Sequence, residues 1–140
     1  MALTFSTAMR DALANLLEST VNVNATVQSK LTIYSGNAPG VNAALSGNVL
    51  LADFDLPINW LNDSATGVKT LVTGLSTTAP TIAGGPLVAT FFRITNIGRS
   101  QTWVQGNVGT SGSDLNLSNT SIATGNTVTI STFTLTTGNA

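Results

Sequence analysis

The chain of 140 residues contains no cysteine and no histidine. Without cysteine it has no disulfide bond and no thiolate ligand for a metal. Without histidine it has neither a Ser-His-Asp nor a Cys-His catalytic arrangement, and no histidine-ligated zinc. Because these two absences remove most routes to catalysis, the sequence predicts a protein that is not an enzyme and that binds no cofactor and no metal.

Charged side chains are scarce as well. They make up 8% of the residues, compared with about 25% in typical domains, and the net charge is −1. The five basic residues are spread from Arg10 to Arg99 instead of forming a cluster, so we expect no nucleic-acid partner. A nearly neutral surface offers little long-range repulsion between copies, which favours an oligomer or a component of a lattice.

Long apolar runs are missing too. No stretch approaches the roughly 18 apolar residues that a membrane-spanning helix needs, so we expect no membrane partner. The first residues do not have the pattern of a secretory signal, because Arg10, Asp11 and Asn15 interrupt the apolar positions. We therefore expect assembly in the cytoplasm of the cell that makes the protein.

Residues 4–18 predict an amphipathic helix, for which Thr4 or Ser6 can act as the N-cap. Its apolar side chains recur with helical spacing and form one stripe: Phe5, Met9, Ala12, Leu13, Leu16 and Leu17. Two interpretations are open. In the commoner arrangement, which we favour, the stripe covers one face or end of a sheet. In the other it contacts a partner subunit, and the candidate interface residues are then Phe5, Met9, Leu13 and Leu16.

From residue 29 onward the apolar spacing changes to two, which is typical of strands. The pattern predicts strands at 30–34, 48–56, 68–75, 87–94, 101–108 and 126–137, with a loop at 76–86 and a linker or short edge strand at 20–28. Residues 87–94 are apolar on both faces, which indicates a central strand. In the last strand Val128 and Ile130 lie on one parity, and Phe133 and Leu135 lie on the other. This slip predicts a β-bulge near Ser131.

These patterns together predict a mainly β protein, an antiparallel β-sandwich or jelly roll with one N-terminal α-helix. Residues 1–28 form the helix and an arm, and residues 29–140 form the sandwich domain. A run near the C-terminus, residues 106–122, is built from Gly, Ser, Asn and Thr and is punctuated by Val108, Leu115, Leu117 and Ile122. We interpret it as a turn and a short strand that precede the last strand.

Sites for chemistry are few. Asp53 and Asp55 share one face of a predicted strand, but a glycosidase needs carboxylates on two sides of the sugar, so a solvated strand face is the simpler interpretation. Calcium needs six to eight oxygen ligands, and the segments around Asp63 and Asp114 supply one carboxylate each, which favours ordinary turns.

Two further patterns have a structural and a functional interpretation. The spacing Gly106-x-x-Gly109-x-x-Gly112 lacks the Lys-Ser/Thr of a phosphate-binding loop and indicates turn glycines. Trp60 and Trp103 are expected in the core, although one exposed tryptophan would provide a stacking platform for a glycan.

Three segments, taken in order, resemble a family of small virion structural proteins of tailed bacteriophages. They are Leu-Thr-Ile-Tyr-Ser-Gly from residue 31 with Asn-Val-Leu-Leu-Ala from residue 48, then Ala-Thr-Phe-Phe-Arg-Ile from residue 89, and residues 106–122. The opening Ser-Thr-Ala-Met-Arg-Asp-Ala-Leu from residue 6 belongs to the same resemblance. It implies membership of the virion and no catalytic residues.

The resemblance leaves the position in the particle open. The first interpretation is a capsid decoration or cement protein that binds the major capsid protein, copies of itself, or both. A trimer is a natural state where the lattice has local three-fold axes. The alternatives are a tail, connector or baseplate protein, and a glycan- or receptor-binding module of a fibre.

Overall fold

Strands dominate the computed structural model, which describes residues 3–21 and 29–137. The elements are α1 (Thr7–Val21), β1 (Lys30–Ser35), β2 (Leu50–Asp55), β3 (Val68–Thr70), β4 (Leu75–Thr78), β5 (Leu87–Thr95), β6 (Thr102–Gly109), β7 (Leu115–Leu117), β8 (Ser121–Ile122) and β9 (Thr127–Thr136). The mainly β class with one N-terminal helix is confirmed.

The strands form one curled sheet in the order β2-β1-β5-β6-β7-β9-β3, with β4 beside β9 and β8 beside β5. The curl brings β4 close to β2, so the sheet folds over itself into two layers around a shared core, as in a sandwich. Most pairs are antiparallel, as predicted. The β6–β7 pair is parallel. The loop after Gly109 returns to the level of Val108 before β7 begins, so β7 then runs in the same direction as β6.

β5 is the central strand of the first layer, as predicted. It pairs with β1 on one side and β6 on the other, and its residues 91–95 are all buried. Phe92 faces the core between the layers and meets Phe133 of β9 edge-on at 5.6 Å. Phe91, on the opposite face, stacks on Tyr34 of β1 at 5.3 Å. Both faces of the strand are therefore packed.

The outer face of the first layer is covered by the loop 36–49. Arg93 of β5 donates hydrogen bonds to the carbonyl oxygens of Gly40 and Ala43, each at 3.0 Å. Gln105 of β6 accepts a hydrogen bond from Arg93 Nε at 2.7 Å and donates one to Pro39 O at 2.7 Å. A buried guanidinium therefore has partners, which is the condition under which arginine is found inside proteins.

The predicted bulge in the last strand is confirmed at Ser131. Leu115 pairs with Phe133 and Leu117 with Ile130, so the register of β7 on β9 skips one residue of β9. The extra residue lets Val128, Ile130 and Phe133 all enter the core despite their different parity. The buried residues of the 106–122 run are the predicted ones, Val108, Leu115, Leu117 and Ile122.

Residues 68–86 differ from the prediction. The single strand expected at 68–75 is two short strands, β3 and β4, separated by a bend, and β4 extends into the expected loop. Both pair with β9, whose length of ten residues gives each its own stretch of edge. The helix is also displaced, beginning at Thr7 instead of residue 4 and ending at Val21. The linker or edge strand predicted at 20–28 lies largely outside the described residues.

Candidate functional site

Most of the apolar stripe of α1 is exposed to solvent, whereas Leu17 lies beside core residues. Leu16 is 61% exposed, Met9 50% and Phe5 39%, and Leu13 is half-buried. We call these four side chains, Phe5 just before the helix and Met9, Leu13 and Leu16 within it, the outward face of α1. They are the residues that the sequence marked as a candidate interface. Large apolar side chains gathered on one exposed helix face are characteristic of surfaces that bind another protein.

A polar stripe of the same helix faces the sheet instead. Asp11, Ala14, Asn15 and Glu18 have the spacing i, i+3, i+4, i+7, which places them on one side of a helix. Ala14 is fully buried, and its small side chain lets the helix lie close to the body. The three polar side chains beside it all bond to the segment 61–69.

Lys69 of β3 is the centre of this contact. Its side chain is 1% exposed, and its ammonium lies 2.7 Å from a carboxylate oxygen of Glu18 and 2.7 Å from Asn15 Oδ1. The second oxygen of Glu18 accepts a hydrogen bond from Leu61 N at 3.1 Å. A buried ammonium is tolerated when it is paired and hydrogen-bonded, and both conditions hold here. The pair fixes the C-terminal half of α1 to the sheet.

Asp11 fixes the N-terminal half. Its Oδ1 accepts hydrogen bonds from Gly67 N at 2.6 Å and from Ser64 Oγ at 2.8 Å. The bond from the Gly67 backbone, and then that from Ser64, stabilise the carboxylate and lower the pKa of Asp11 below its ordinary value. The helix is therefore held by two separate polar contacts about two turns apart.

Gly67 allows the close approach of helix and loop. Its φ is +79°, which favours glycine, and a Cβ there would lie 2.8 Å from both Arg10 Cβ and Thr137 O. Thr137 closes the same contact by donating its hydroxyl to Arg10 O at 2.8 Å, and Arg10 donates to Thr66 O. Both ends of the described chain thus meet at this loop.

The expectation that the apolar stripe of α1 covers the sheet is therefore wrong for most of the stripe. Phe5, Met9 and Leu16 are exposed, whereas Leu17 lies beside Trp60 and Phe133 at the edge of the core. A hydrophobic stripe usually marks the buried side of a helix, and here polar side chains face the body as well because their partners are polar too. The signal in the sequence was the spacing of Asp11, Asn15 and Glu18 with an alanine among them, together with a lone lysine in a short strand. Hydropathy alone does not identify the polar stripe as a side of the helix that contacts the sheet.

Asp53 and Asp55 lie on β2 next to basic side chains. The strand face that was predicted to be simply solvated is therefore an ion-pair cluster. Lys30 bonds to Asp53 at 3.2 Å and to Asp55 at 2.5 Å, and Arg99 bonds to Asp53 at 2.5 Å. Burial alone raises the pKa of Asp53, but hydrogen bonds from Thr32, Arg99 and Lys30 outweigh burial and lower it. Both carboxylates are therefore paired with cations, and these pairs join β1, β2 and the turn after β5.

For the segments around Asp63 and Asp114 the sequence favours ordinary turns over calcium sites. Asp114 Oδ2 accepts a hydrogen bond from Asn107 N at 2.9 Å, and Asn116 Oδ1 accepts one from Ser113 N at 3.1 Å, which is ordinary turn chemistry as predicted. Within residues 3–21 and 29–137 no three acidic side chains come together as metal ligands. Gly106 and Gly109 lie in β6, and Gly112 has a φ of +69° in the turn that follows.

The two tryptophans differ. Trp60 is buried against Phe133, with ring centroids 5.2 Å apart, as expected of a core residue. Trp103 on β6 is 37% exposed, in contrast to the expectation that it is a core residue. One partly exposed ring is a small surface compared with the outward face of α1.

Comparison with known proteins gives no relative. No protein-family model, no curated protein and no solved structure matches the chain. In the part of the chain that the structure describes, no helix has the length and apolar character needed to cross a membrane.

Proposed function

We propose that this protein is a non-enzymatic structural protein of a bacteriophage virion, a capsid decoration protein that binds the major capsid protein through the outward face of α1. The observation that carries the proposal is that a helix with an apolar stripe is fixed with most of that stripe outward, including Met9 and Leu16. Polar contacts through Asp11 and Glu18 hold the helix in this orientation, so the exposed stripe is a built surface and not a frayed end.

The proposal fits the energetics of a lattice. Fully burying one exposed large apolar side chain contributes about 1.5–3 kcal/mol. Phe5, Met9 and Leu16 are only 39–61% exposed, so their burial contributes roughly half of that each and gives a modest contact for one copy. Association also carries an entropic cost. Copies that bind side by side on a repeating surface, and that contact each other, combine modest contacts into stable occupancy. The low net charge of −1 leaves little repulsion between neighbouring copies.

The test is co-sedimentation with particles of the phage that encodes the chain, stripped of this protein. We expect Met9→Gln and Leu16→Gln together to reduce occupancy at least tenfold, which corresponds to about 1.4 kcal/mol. Ile97→Gln is the matched control, because Ile97 is 49% exposed in the turn between β5 and β6, compared with 50% for Met9. Unchanged occupancy of the double variant, or equal loss in the control, would contradict the proposed contact.

A tail, connector or baseplate position is the alternative for the same surface. The two positions differ in stoichiometry, because a decorated head carries hundreds of copies and a tail ring carries six or twelve. Quantitative mass spectrometry of intact particles against the major capsid protein distinguishes them. A measured number of six or twelve copies per particle would favour a position in the tail over one on the head.

A further inference from the structure

A gap one strand wide lies between β6 and β9. β7 fills one part of it, pairing in parallel with β6 at Val108 and Gly109 and antiparallel with β9 at 130–133. β7 begins at Leu115, and among the described residues no strand occupies the continuation of this space beyond Asp114. Since β7 bonds to both neighbours, β6 and β9 are one strand apart where β7 lies, about 4.8 Å from each side of it, and they continue from that separation beyond Asp114.

The continuation is a cavity of about 240 Å³. One side is β6 at 104–106, and the other side is β9 at 134–136. The rings of Phe92 and Phe133 form its floor, and Asp114 closes the end next to β7. We call this cavity the strand gap. Val104 and Leu135, which line it, are half-buried and pack against the core cluster, and they also lie beside Leu17 and Val21 of α1, so the helix borders the gap at this end. An apolar side chain placed between Val104 and Leu135 on the open side would extend that core.

The backbone of both walls points into the strand gap. Asn107 N donates to Asp114 Oδ2, and Thr134 N approaches Asp114 O at 3.5 Å, so these two residues direct their amides towards the gap. Thr137 N instead donates to Gly67 O on the opposite side of β9. Because alternate residues of a strand point their amides to opposite sides, Gln105 and Thr136 also direct their N–H and C=O groups into the gap.

We propose that the strand gap binds an extended segment of a partner polypeptide, which enters as a short strand continuing the direction of β7. Two facing edges of N–H and C=O groups, next to the point where β7 already bonds to both strands, are the arrangement with which an extended backbone pairs. The inward side chain of the segment is apolar. Asp114 at its C-terminal end favours a basic side chain or a free donor there.

This surface is separate from the outward face of α1, and it does not depend on the proposed function. The residues of the gap belong to β5, β6, β9 and the turn before β7, and none is in the outward face. Strand insertion adds main-chain hydrogen bonds, with little demand on the partner's sequence beyond alternation. A short segment binds weakly alone, so the contact becomes useful when a second contact or a lattice raises the effective concentration.

The test uses the peptide acetyl-Thr-Val-Thr-Val-Thr-Lys-amide at millimolar concentration, with ¹H–¹⁵N NMR of the full chain. We expect saturable shifts concentrated at 104–106 and 134–136, and slower exchange of the Thr136 amide. The matched control is the same peptide with both valine amides N-methylated, which keeps the side chains and removes donors to the gap. Absence of saturable shifts, or equal binding of the methylated peptide, would overturn the proposal.

Thr136→Pro removes one gap-facing amide and leaves the β3 side of β9 unchanged, since the amide of Thr137 and not that of Thr136 faces Gly67. We expect peptide binding to fall at least tenfold in this variant and to stay the same in Thr136→Val. Should Thr136→Pro fail to fold, the comparison of the two peptides on the unaltered chain still decides. Met9→Gln should bind the peptide normally, so failure of this proposal and failure of the capsid contact are distinguishable.

Discussion

The few charged side chains of this protein are used within the fold. All five basic residues bond to other parts of the chain: Arg10 to Thr66, Lys30 to Asp53 and Asp55, Lys69 to Glu18, Arg93 to Gly40 and Ala43, and Arg99 to Asp53. Each bond joins segments far apart in sequence. The charges therefore act as fixed contacts between elements, and the outer surface is left with little net charge.

Lys69 is the residue at which this use of charge has its largest expected effect. We expect Lys69→Met to lower the free energy of unfolding by about 3 kcal/mol, because it leaves Glu18 partly buried without its cation. Urea denaturation of Lys69→Met, Glu18→Gln and the double variant measures the coupling. The double variant should lose less than the sum of the single losses, and simple additivity would show that the pair does not act as a unit.

Gly67 tests the close contact of α1 with the loop. Both Gly67 and Gly84 have positive φ, 79° and 72°, but an added Cβ meets Arg10 and Thr137 at Gly67 and nothing within 4 Å at Gly84. We expect Gly84→Ala to cost about 1 kcal/mol from the backbone alone, and Gly67→Ala to cost roughly 3 kcal/mol. Thermal denaturation of the two variants measures the difference, and equal losses would argue against tight helix contact.

Asp53 gives the stability a dependence on pH. Its pKa is lowered in the folded state, so its contribution is present above the ordinary carboxyl value near 4 and is lost as the pH falls through the folded pKa. We expect the free energy of unfolding to fall between about pH 5 and pH 2, and to fall less steeply in Asp53→Asn. Urea titrations at several pH values measure both slopes. Identical slopes would show that Asp53 is not stabilised by its partners.

At the scale of elements, periodicity predicted the strands well where their side chains alternate or are continuously apolar. β1, β5 and β6 lie within two residues of their predicted bounds, and the parity change in β9 predicted the bulge at Ser131. Residues 68–86 were harder, because β3 and β4 are short and are defined by pairing with β9, a long-range contact that local sequence does not record.

The orientation of α1 was not predictable from hydropathy. The residues of the candidate interface, Phe5, Met9, Leu13 and Leu16, were identified, but the commoner interpretation placed them against the sheet. The helix lies with these residues outward because Asp11 and Asn15 bond to polar groups around Lys69 and Gly67, which are more than forty positions away in sequence. Whether these four residues contact a partner stays a prediction.

The reversed orientation predicts an unusual response to substitution along α1. Met9→Gln should change the free energy of unfolding by less than about 0.5 kcal/mol, because its side chain is 50% exposed. Ala14→Leu should lower it by about 1–3 kcal/mol, because Ala14 is fully buried on the polar side. Chemical denaturation measures both. Large destabilisation by Met9→Gln together with tolerance of Ala14→Leu would mean that the helix lies the other way round.

At the scale of the whole molecule, the curled sheet is a platform that presents two separate surfaces. The outward face of α1 is apolar and is fixed by the polar contacts around Lys69. The strand gap between β6 and β9 is an open backbone edge. A subunit with two modest, distinct contacts and little net charge has the properties needed to occupy a repeating lattice, where each copy meets more than one neighbour.

Electron cryo-microscopy of the intact particle that contains this chain shows whether the outward face of α1 binds the capsid. We expect many copies on the outer surface of the head, each with the side chains of Met9 and Leu16 buried against the major capsid protein. A particle in which the outward face of α1 remains in solvent, or a head that carries no copy of the protein, would contradict this expectation.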